Sequence, residues 1–166
     1  MRFRVVPAAY VLPLRRVGRT DEVLLQLRRG TGYMDGHWAA AAAGHVEADE
    51  SVHAAACREA EEELGIGIVT ADLVPLTVMH RTHGNHRAID ERVDFFFSCR
   101  TWTGDPRRVE QAKSADLRWC SLDDLPEPVV PHELFVLAGL RRGDLPAIVS
   151  FGFDAATSPD ARAPRR

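Results

Sequence analysis

The chain has 166 residues, of which 45% are apolar and 27% are charged, and its formal net charge is −3. Such values are typical of one globular domain with a full core, and they lack the basic excess that accompanies nonspecific nucleic-acid binding. The three cysteines are widely spaced and form no CxxC pair, so neither a disulfide framework nor a zinc site is expected.

No apolar run approaches the length that a membrane span requires, and the N-terminal segment lacks the pattern of a cleaved leader. We therefore expect a cytoplasmic protein with no membrane partner and no nucleic-acid partner.

Two apolar, β-prone runs begin the chain, at residues 3–14 and 23–28, and the polar residues 15–21 between them predict a hairpin or two adjacent strands. Residues 29–37 contain three glycines and predict a surface loop. Arg28 or Arg29 could face a phosphate from this loop, or the loop could be a plain solvated connection.

A helix is predicted over residues 51–64. Asp49 or Ser51 can cap its start, and Gly65 can end it in a left-handed conformation. Small apolar residues recur at helical spacing and predict its buried side. Glu59, Glu62 and Glu63 fall at i, i+3 and i+4, so three carboxylates share one face and repel one another. A hard divalent cation such as Mg²⁺ is the simplest compensation.

This stretch resembles the signature of the Nudix hydrolases, G-x5-E-x7-R-E-U-x-E-E-x-G-U, where U is an aliphatic residue. Every fixed position matches, and Ala60 is smaller than the family prefers. The matching positions are Gly44, Glu50, Arg58, Glu59, Ala60, Glu62, Glu63, Gly65 and Ile66. The alternative is a solvated acidic helix face with a glycine cap.

The segment before the signature departs from the family, in which it usually ends in Pro-Gly-Gly; here it reads Ala41, Ala42, Ala43 and Gly44. The resemblance implies that the backbone carbonyl of Ala43 binds the metal. Because alanine tolerates positive φ poorly, the substitution raises a question about the geometry of this loop.

Residues 72–81 and 91–99 predict two further strands, joined by a polar loop that carries histidines and Arg87. The histidine spacing fits no standard zinc pattern, and a phosphate-steering loop is the functional alternative. Alternation in the second strand places Phe96 on one face. Phe96 could stack on a nucleobase, although core packing is the commoner role.

Trp102, Gly104, Asp105 and Pro106 resemble the W-x-G-E-P turn of the mutator-type nucleoside triphosphate pyrophosphohydrolases within the same family. In those enzymes a glutamate four residues after the proline joins the metal cluster. Glu110 stands at that position. Trp102 is a candidate substrate contact, and an ordinary exposed loop is the alternative.

Residues 116–120 predict a strand, residues 131–142 a helix that starts at Pro131 and stops at Gly143, and residues 145–153 a last strand. We expect one domain over residues 1–153 and a flexible tail over residues 154–166. The Nudix resemblance implies an α/β fold, an α/β/α sandwich with a mixed central β-sheet.

The resemblance implies a Mg²⁺-dependent hydrolase, with Mn²⁺ as a substitute, that cleaves a nucleoside diphosphate linked to a group X. Glu59, Glu62, Glu63 and Glu110 would hold the metal with the Ala43 carbonyl. Arg58 would orient a glutamate, and Glu63 or Glu110 would act as general base.

A nucleoside triphosphate, oxidised or not, is the expected substrate, because the proline or tyrosine tags of some other subfamilies are absent after the signature. The candidate substrate contacts are Arg28, Arg29, Phe96 and Trp102. A monomer or homodimer is expected. The alternatives are ADP-ribose, a nucleotide sugar or another X-linked diphosphate as substrate, a non-catalytic nucleotide sensor, and an isopentenyl-diphosphate isomerase-like enzyme, although Cys57 does not match the cysteine that such an isomerase needs.

Overall fold

The fold is built around one long strand, which pairs with different neighbours along its two halves. In the computed structural model, which describes residues 2–154, β1 (Val6–Val17) is twelve residues long. Its first half pairs with β4 (Ala42–His45) on one side and its last four residues pair with β2 (Thr20–Arg28). Along residues 6–13 it also pairs, in parallel, with β6 (Arg92–Cys99).

The remaining strands complete an eight-stranded mixed sheet. They are β3 (Trp38–Ala40), β5 (Val74–Arg81), β7 (Ser114–Ser121) and β8 (Ile148–Phe151). The main order is β3-β2-β1-β6-β5-β8, while β4 pairs with β1 and β7 pairs with β2. β6 is therefore a central strand with neighbours on both edges.

Two helices pack on the sheet, α1 (Val52–Leu64) and α2 (Pro131–Arg142). One buried cluster joins Leu64 of α1 to Phe97 and Val11, and the other joins Val136 and Leu137 of α2 to the opposite face. The expected α/β/α sandwich with a mixed central sheet is thereby confirmed. No helix within residues 2–154 is both long and apolar enough to cross a membrane.

The caps of α1 are local and match the sequence pattern. Ser51 accepts a hydrogen bond from the amide of Ala54 at 3.1 Å, and Gly65 ends the helix with φ of 67°. Asp49 is therefore not the capping residue. The acidic face is not uniformly open to solvent, because Glu59 is only 8% exposed and lies among the buried residues of the helix.

The first hairpin extends further than the apolar pattern predicted. Residues 15–17 were expected in a turn but belong to β1, because Arg15 pairs with Glu22 across the hairpin and Arg16 pairs with Asp21. The alanine-rich strands β3 and β4 were not predicted as strands. All but one residue of the expected tail, 154–166, lies outside the described residues.

Replacing the helix cap should lower stability. For Ser51→Ala we expect a loss of about 1 kcal/mol in the free energy of unfolding, because the amide of Ala54 loses its acceptor. Urea unfolding measures this loss, and Ser51→Thr, which keeps a hydroxyl, is the matched control. Equal stability of the alanine and threonine variants would contradict the capping role.

Candidate active site

Arg58 is the hub of the acidic helix. Its guanidinium binds both carboxylate oxygens of Glu50, at 2.8 and 3.0 Å, and one oxygen each of Glu59, at 2.7 Å, and Glu62, at 3.1 Å. It also donates to the carbonyl of His45 at 3.0 Å. One side chain thus joins the helix to β4 and to the loop before the helix, with charge-assisted hydrogen bonds throughout.

Gly44 lies directly against Glu59. A Cβ atom at residue 44 would lie only 2.0 Å from Glu59 Oε1, closer than any real contact. Gly44 belongs to β4 and has no positive φ. The glycine of the signature therefore leaves space for a carboxylate that Arg58 holds in place, and its backbone conformation does not call for glycine.

Glu63 lies where the helix meets the cavity described below. Its Oε2 accepts a hydrogen bond from the amide of Ala43 at 3.0 Å. Burial raises the pKa of Glu63 to about 8, with further upward contributions from Glu59 and Glu110. Burial also raises the pKa of Glu59, against the lowering effect of Arg58. Glu59 has Arg58 as its cationic partner, whereas Glu63 forms no ion pair within residues 2–154.

The strands around Ala43 answer the question about the loop geometry. Ala43 pairs with Tyr10 of β1 in an ordinary antiparallel ladder, and none of residues 41–43 has a positive φ. Alanine therefore fits this segment without backbone strain. Whether the Ala43 carbonyl binds a metal stays a prediction.

Glu110 reaches the helix through the loop that precedes β7. The amides of Arg107 and Val109 donate to the last carbonyls of α1, those of Leu64 and Glu63, at 3.0 and 3.1 Å. These bonds cap the helix end and bring Glu110 close enough to raise the pKa of Glu63. In the structure the Glu110 carboxylate pairs with Lys113 at 3.0 Å.

A cavity of about 510 Å³ opens beside Glu63 and Gly44. Four arginines line it, and they are Arg28, Arg81, Arg87 and Arg92. Arg81 is neutralised by the buried Asp94 at 2.7 Å, whereas Arg28 and Arg87 form no ion pair within residues 2–154. A cavity with this lining suits an anionic ligand.

Arg28 is fixed in the cavity wall. Its Nε donates to the carbonyl of Tyr33 at 2.8 Å and its Nη2 to the hydroxyl of Thr31 at 3.0 Å. Of the four residues predicted to contact substrate, Arg28 alone lines the cavity. Arg29 points the other way and donates to the carbonyl of Gln111.

Phe96 and Trp102 are not brought to the cavity. Phe96 is 1% exposed and stacks on Tyr10 with ring centroids 4.4 Å apart, so it is a core residue. Trp102 stacks on Trp119 at 6.0 Å beside the α1 cluster. The interpretation of Phe96 as core, which the sequence left open beside base stacking, agrees with this position.

Sequence reasoning missed the far end of the cavity. There, Glu133 of α2 is 4% exposed and accepts a hydrogen bond from the amide of Ala40. Burial raises its pKa to about 7, although the Ala40 amide and the charges of Arg28 and Arg81 lower it. The signal available was a charged residue between His132 and the apolar residues Leu134 and Phe135 in the first turn of a predicted helix.

The acidic residues do not form a closed coordination cluster. Within residues 2–154, no three histidine, cysteine, aspartate or glutamate side chains converge closely enough to hold a metal ion. Arg58 and Lys113 bind the carboxylates instead. Cys57, Cys99 and Cys120 are free thiols, as expected.

Comparison with known proteins identifies one family. The family model described as NUDIX domain matches residues 5–138. The uncharacterized Nudix hydrolase YvcI of Bacillus subtilis is 29% identical over 129 residues, which is 75% of each chain.

Two solved structures share the fold. A MutT NUDIX hydrolase from Burkholderia pseudomallei is 29% identical with a TM-score of 0.69, over 81% of this chain and 97% of that one. The NUDIX domain of NrtR from Shewanella oneidensis, solved with ADP ribose, is 17% identical with a TM-score of 0.67, over 84% and 88%. At that identity the second match supports the fold alone.

The contact between Gly44 and Glu59 predicts a coupled effect on stability. Gly44→Ala should cost roughly 1–3 kcal/mol, because its Cβ overlaps the Glu59 carboxylate. In a Glu59→Ala background the same change should cost much less, since the overlapping group is gone. Urea unfolding of the four proteins tests this, and an equal cost in both backgrounds would contradict it.

The raised pKa values predict a pH dependence in the absence of divalent metal. A carboxyl group with a raised folded-state pKa favours the protonated form, so its stabilising contribution is present at low pH and is lost as pH rises through that pKa. The free energy of unfolding in EDTA should therefore fall from about pH 4.5, the ordinary pKa of the carboxyl group, to about pH 8, by roughly 1 kcal/mol per pH unit.

Glu63→Gln should flatten this fall, and Glu61→Gln, on the exposed side of the same helix, should not. Urea unfolding at several pH values measures both variants. A profile that is the same in wild type and Glu63→Gln would show that Glu63 does not titrate as described.

Proposed function

The chain belongs to the Nudix family and is a hydrolase of pyrophosphate bonds, and from this premise we propose that it is a Mg²⁺-dependent enzyme acting on a nucleoside triphosphate. Its products would be a nucleoside monophosphate and pyrophosphate. The observation that carries the proposal is the position of Glu63, a half-buried acid that is bonded to Ala43 and lines the arginine-rich cavity.

The residues fit a divalent cation on chemical grounds. Glu59, Glu62, Glu63 and Glu110 offer the hard oxygen donors that Mg²⁺ prefers, and Mn²⁺ accepts the same donors. Glu63 has no ion-pair partner among residues 2–154 and burial raises its pKa, so a cation beside it would stabilise its charged form. The Ala43 carbonyl is a further candidate donor. A bound divalent ion would supply charge neutralisation at the phosphates and an acidified water.

The protein's side chains would supply positioning, proton transfer and phosphate binding. Arg58 would hold Glu59 and Glu62 in place, which makes it a positioning residue. Glu63 or Glu110 would take a proton from the attacking water. Arg28 lies in the cavity wall without an acidic partner among residues 2–154, and it would bind a phosphate oxygen.

The triphosphate is favoured over other diphosphates by two observations. The Trp102 to Glu110 segment follows the mutator-type turn, and a relative that is 29% identical is described as a MutT NUDIX hydrolase. ADP-ribose, a nucleotide sugar or another X-linked diphosphate is the second candidate; the NUDIX domain of NrtR, which shares the fold, was solved with ADP ribose. A non-catalytic nucleotide sensor is the third.

We propose a single domain over residues 1–153 that works in the cytoplasm as a monomer or homodimer. The three free cysteines are in keeping with a reducing compartment.

A Mg²⁺-dependent hydrolysis panel tests the proposal. It would cover nucleoside triphosphates, oxidised triphosphates, ADP-ribose, nucleotide sugars and dinucleoside polyphosphates, with pyrophosphate and phosphate measured separately. We expect pyrophosphate release from a triphosphate, reduced about 100-fold in Glu62→Gln because a metal donor is weakened. Glu61→Gln is the matched control and should keep full activity.

Turnover of only a nucleotide sugar or ADP-ribose would replace the proposed substrate. Nucleotide binding without any turnover would favour the sensor. Unchanged turnover in Glu62→Gln would contradict the role given to that residue.

A further inference from the structure

The loop that carries Glu110 is held from two sides. On the side of α1, two of its backbone amides donate to the last carbonyls of the helix. On the other side it contacts the segment that follows β2. There the amide of Arg29 donates to the carbonyl of Lys113 at 3.0 Å, and the Arg29 guanidinium donates through Nη2 to the carbonyl of Gln111. A charged donor therefore binds the peptide group directly after Glu110.

Arg28 and Arg29 are consecutive in the chain, but their side chains serve opposite sides of it. Arg28, the last residue of β2, lines the cavity, whereas Arg29 points away from it toward the Glu110 loop. The two segments are in close contact, because a Cβ atom at residue 30 would lie 3.1 Å from the carbonyl oxygen of Ala112. The two arginines thus connect the cavity wall to the loop that holds Glu110.

The bond from Arg29 fixes this loop in a way that the ion pair of Glu110 cannot. Lys113 belongs to the same loop as Glu110, and the two side chains are 60% and 39% exposed. Such an exposed pair contributes little and moves with the loop. Arg29 lies 82 residues away from Gln111 in sequence, at the end of a sheet strand. Its guanidinium therefore holds the loop in place relative to the sheet.

We propose that Arg29 is a positioning residue for the hydrolysis, which fixes the Glu110 carboxylate beside Glu63 without touching the substrate. This inference rests on the proposed function, because it takes Glu110 to be one of the acids that bind the divalent cation. It replaces the expectation that Arg29 contacts a phosphate.

Binding of Mn²⁺, followed by electron paramagnetic resonance, tests the inference without substrate or turnover. We expect Arg29→Met to weaken Mn²⁺ binding about 10-fold, because a metal ligand loses the group that orients it. Arg29→Lys keeps a charged donor and should weaken it less. Arg19→Met, at the exposed turn between β1 and β2, is the matched control for loss of a guanidinium and should bind Mn²⁺ as wild type.

Steady-state kinetics distinguish positioning from substrate contact. At one fixed Mg²⁺ concentration, and with any substrate that the hydrolysis panel identifies, Arg29→Met should lower kcat about 10-fold with little change in KM. Arg28→Met, in the cavity wall, should instead raise KM. A raised KM with unchanged kcat in Arg29→Met would show direct substrate contact and would overturn the inference.

A double-mutant cycle with Glu110 separates positioning from a general loss of stability. In a Glu110→Gln background, Arg29→Met should cause little further loss of Mn²⁺ affinity, since the carboxylate that Arg29 positions is already gone. Equal losses in the two backgrounds would show that Arg29 acts independently of Glu110, which contradicts the inference.

The outcomes also separate this inference from the proposed function. Weaker Mn²⁺ binding in Glu110→Gln, with none of that loss in Arg29→Met, would overturn this inference alone. Unchanged Mn²⁺ binding in Glu110→Gln would remove Glu110 from the proposed metal site, and this inference with it. Turnover of another diphosphate in place of a triphosphate, with the coupling between Arg29 and Glu110 intact, would overturn only the proposed substrate.

Discussion

The candidate site depends on the guanidinium of Arg58, which binds three carboxylates at once. Glu59, Glu62 and Glu63 would repel one another on a bare helix. Arg58 binds Glu59 and Glu62 and also Glu50 of the preceding loop, so it offsets part of the repulsion and ties α1 to its entry loop. Glu63 is outside that network and takes its hydrogen bond from Ala43 instead. The acid that Arg58 does not neutralise is the one that lines the cavity.

Small side chains let α1 pack close to β4. Ala55, Ala56 and Ala60 of α1 are fully buried, as are Ala41, just before β4, and Ala42, its first residue. With no bulk between them, the Glu59 carboxylate lies directly over Gly44, and the Ala43 amide reaches Glu63. Larger residues would push the helix outward and separate these groups. The alanines that depart from the family pattern therefore serve the same close approach.

Features set by neighbours in sequence could be predicted, and features set by distant contacts could not. The ends of α1 and α2 follow from Ser51, Pro131 and two glycines within a few residues. β3 and β4 are alanine strands, whose burial depends on partners elsewhere in the sheet. Glu133 was missed because its partner, Ala40, lies 93 residues away. The shared face of Glu59, Glu62 and Glu63 could be predicted from their spacing, but the cavity beside Glu63 could not.

Direct measurement of Mn²⁺ binding is the sharpest test of the claim that the acidic residues of α1 bind a divalent cation. Electron paramagnetic resonance of free Mn²⁺ would give the affinity of wild type, Glu59→Gln, Glu63→Gln and the control Glu61→Gln, without substrate or turnover. The account predicts binding by wild type and Glu61→Gln and clearly weaker binding by the other two. No binding by wild type, or equal binding by all four proteins, would contradict it.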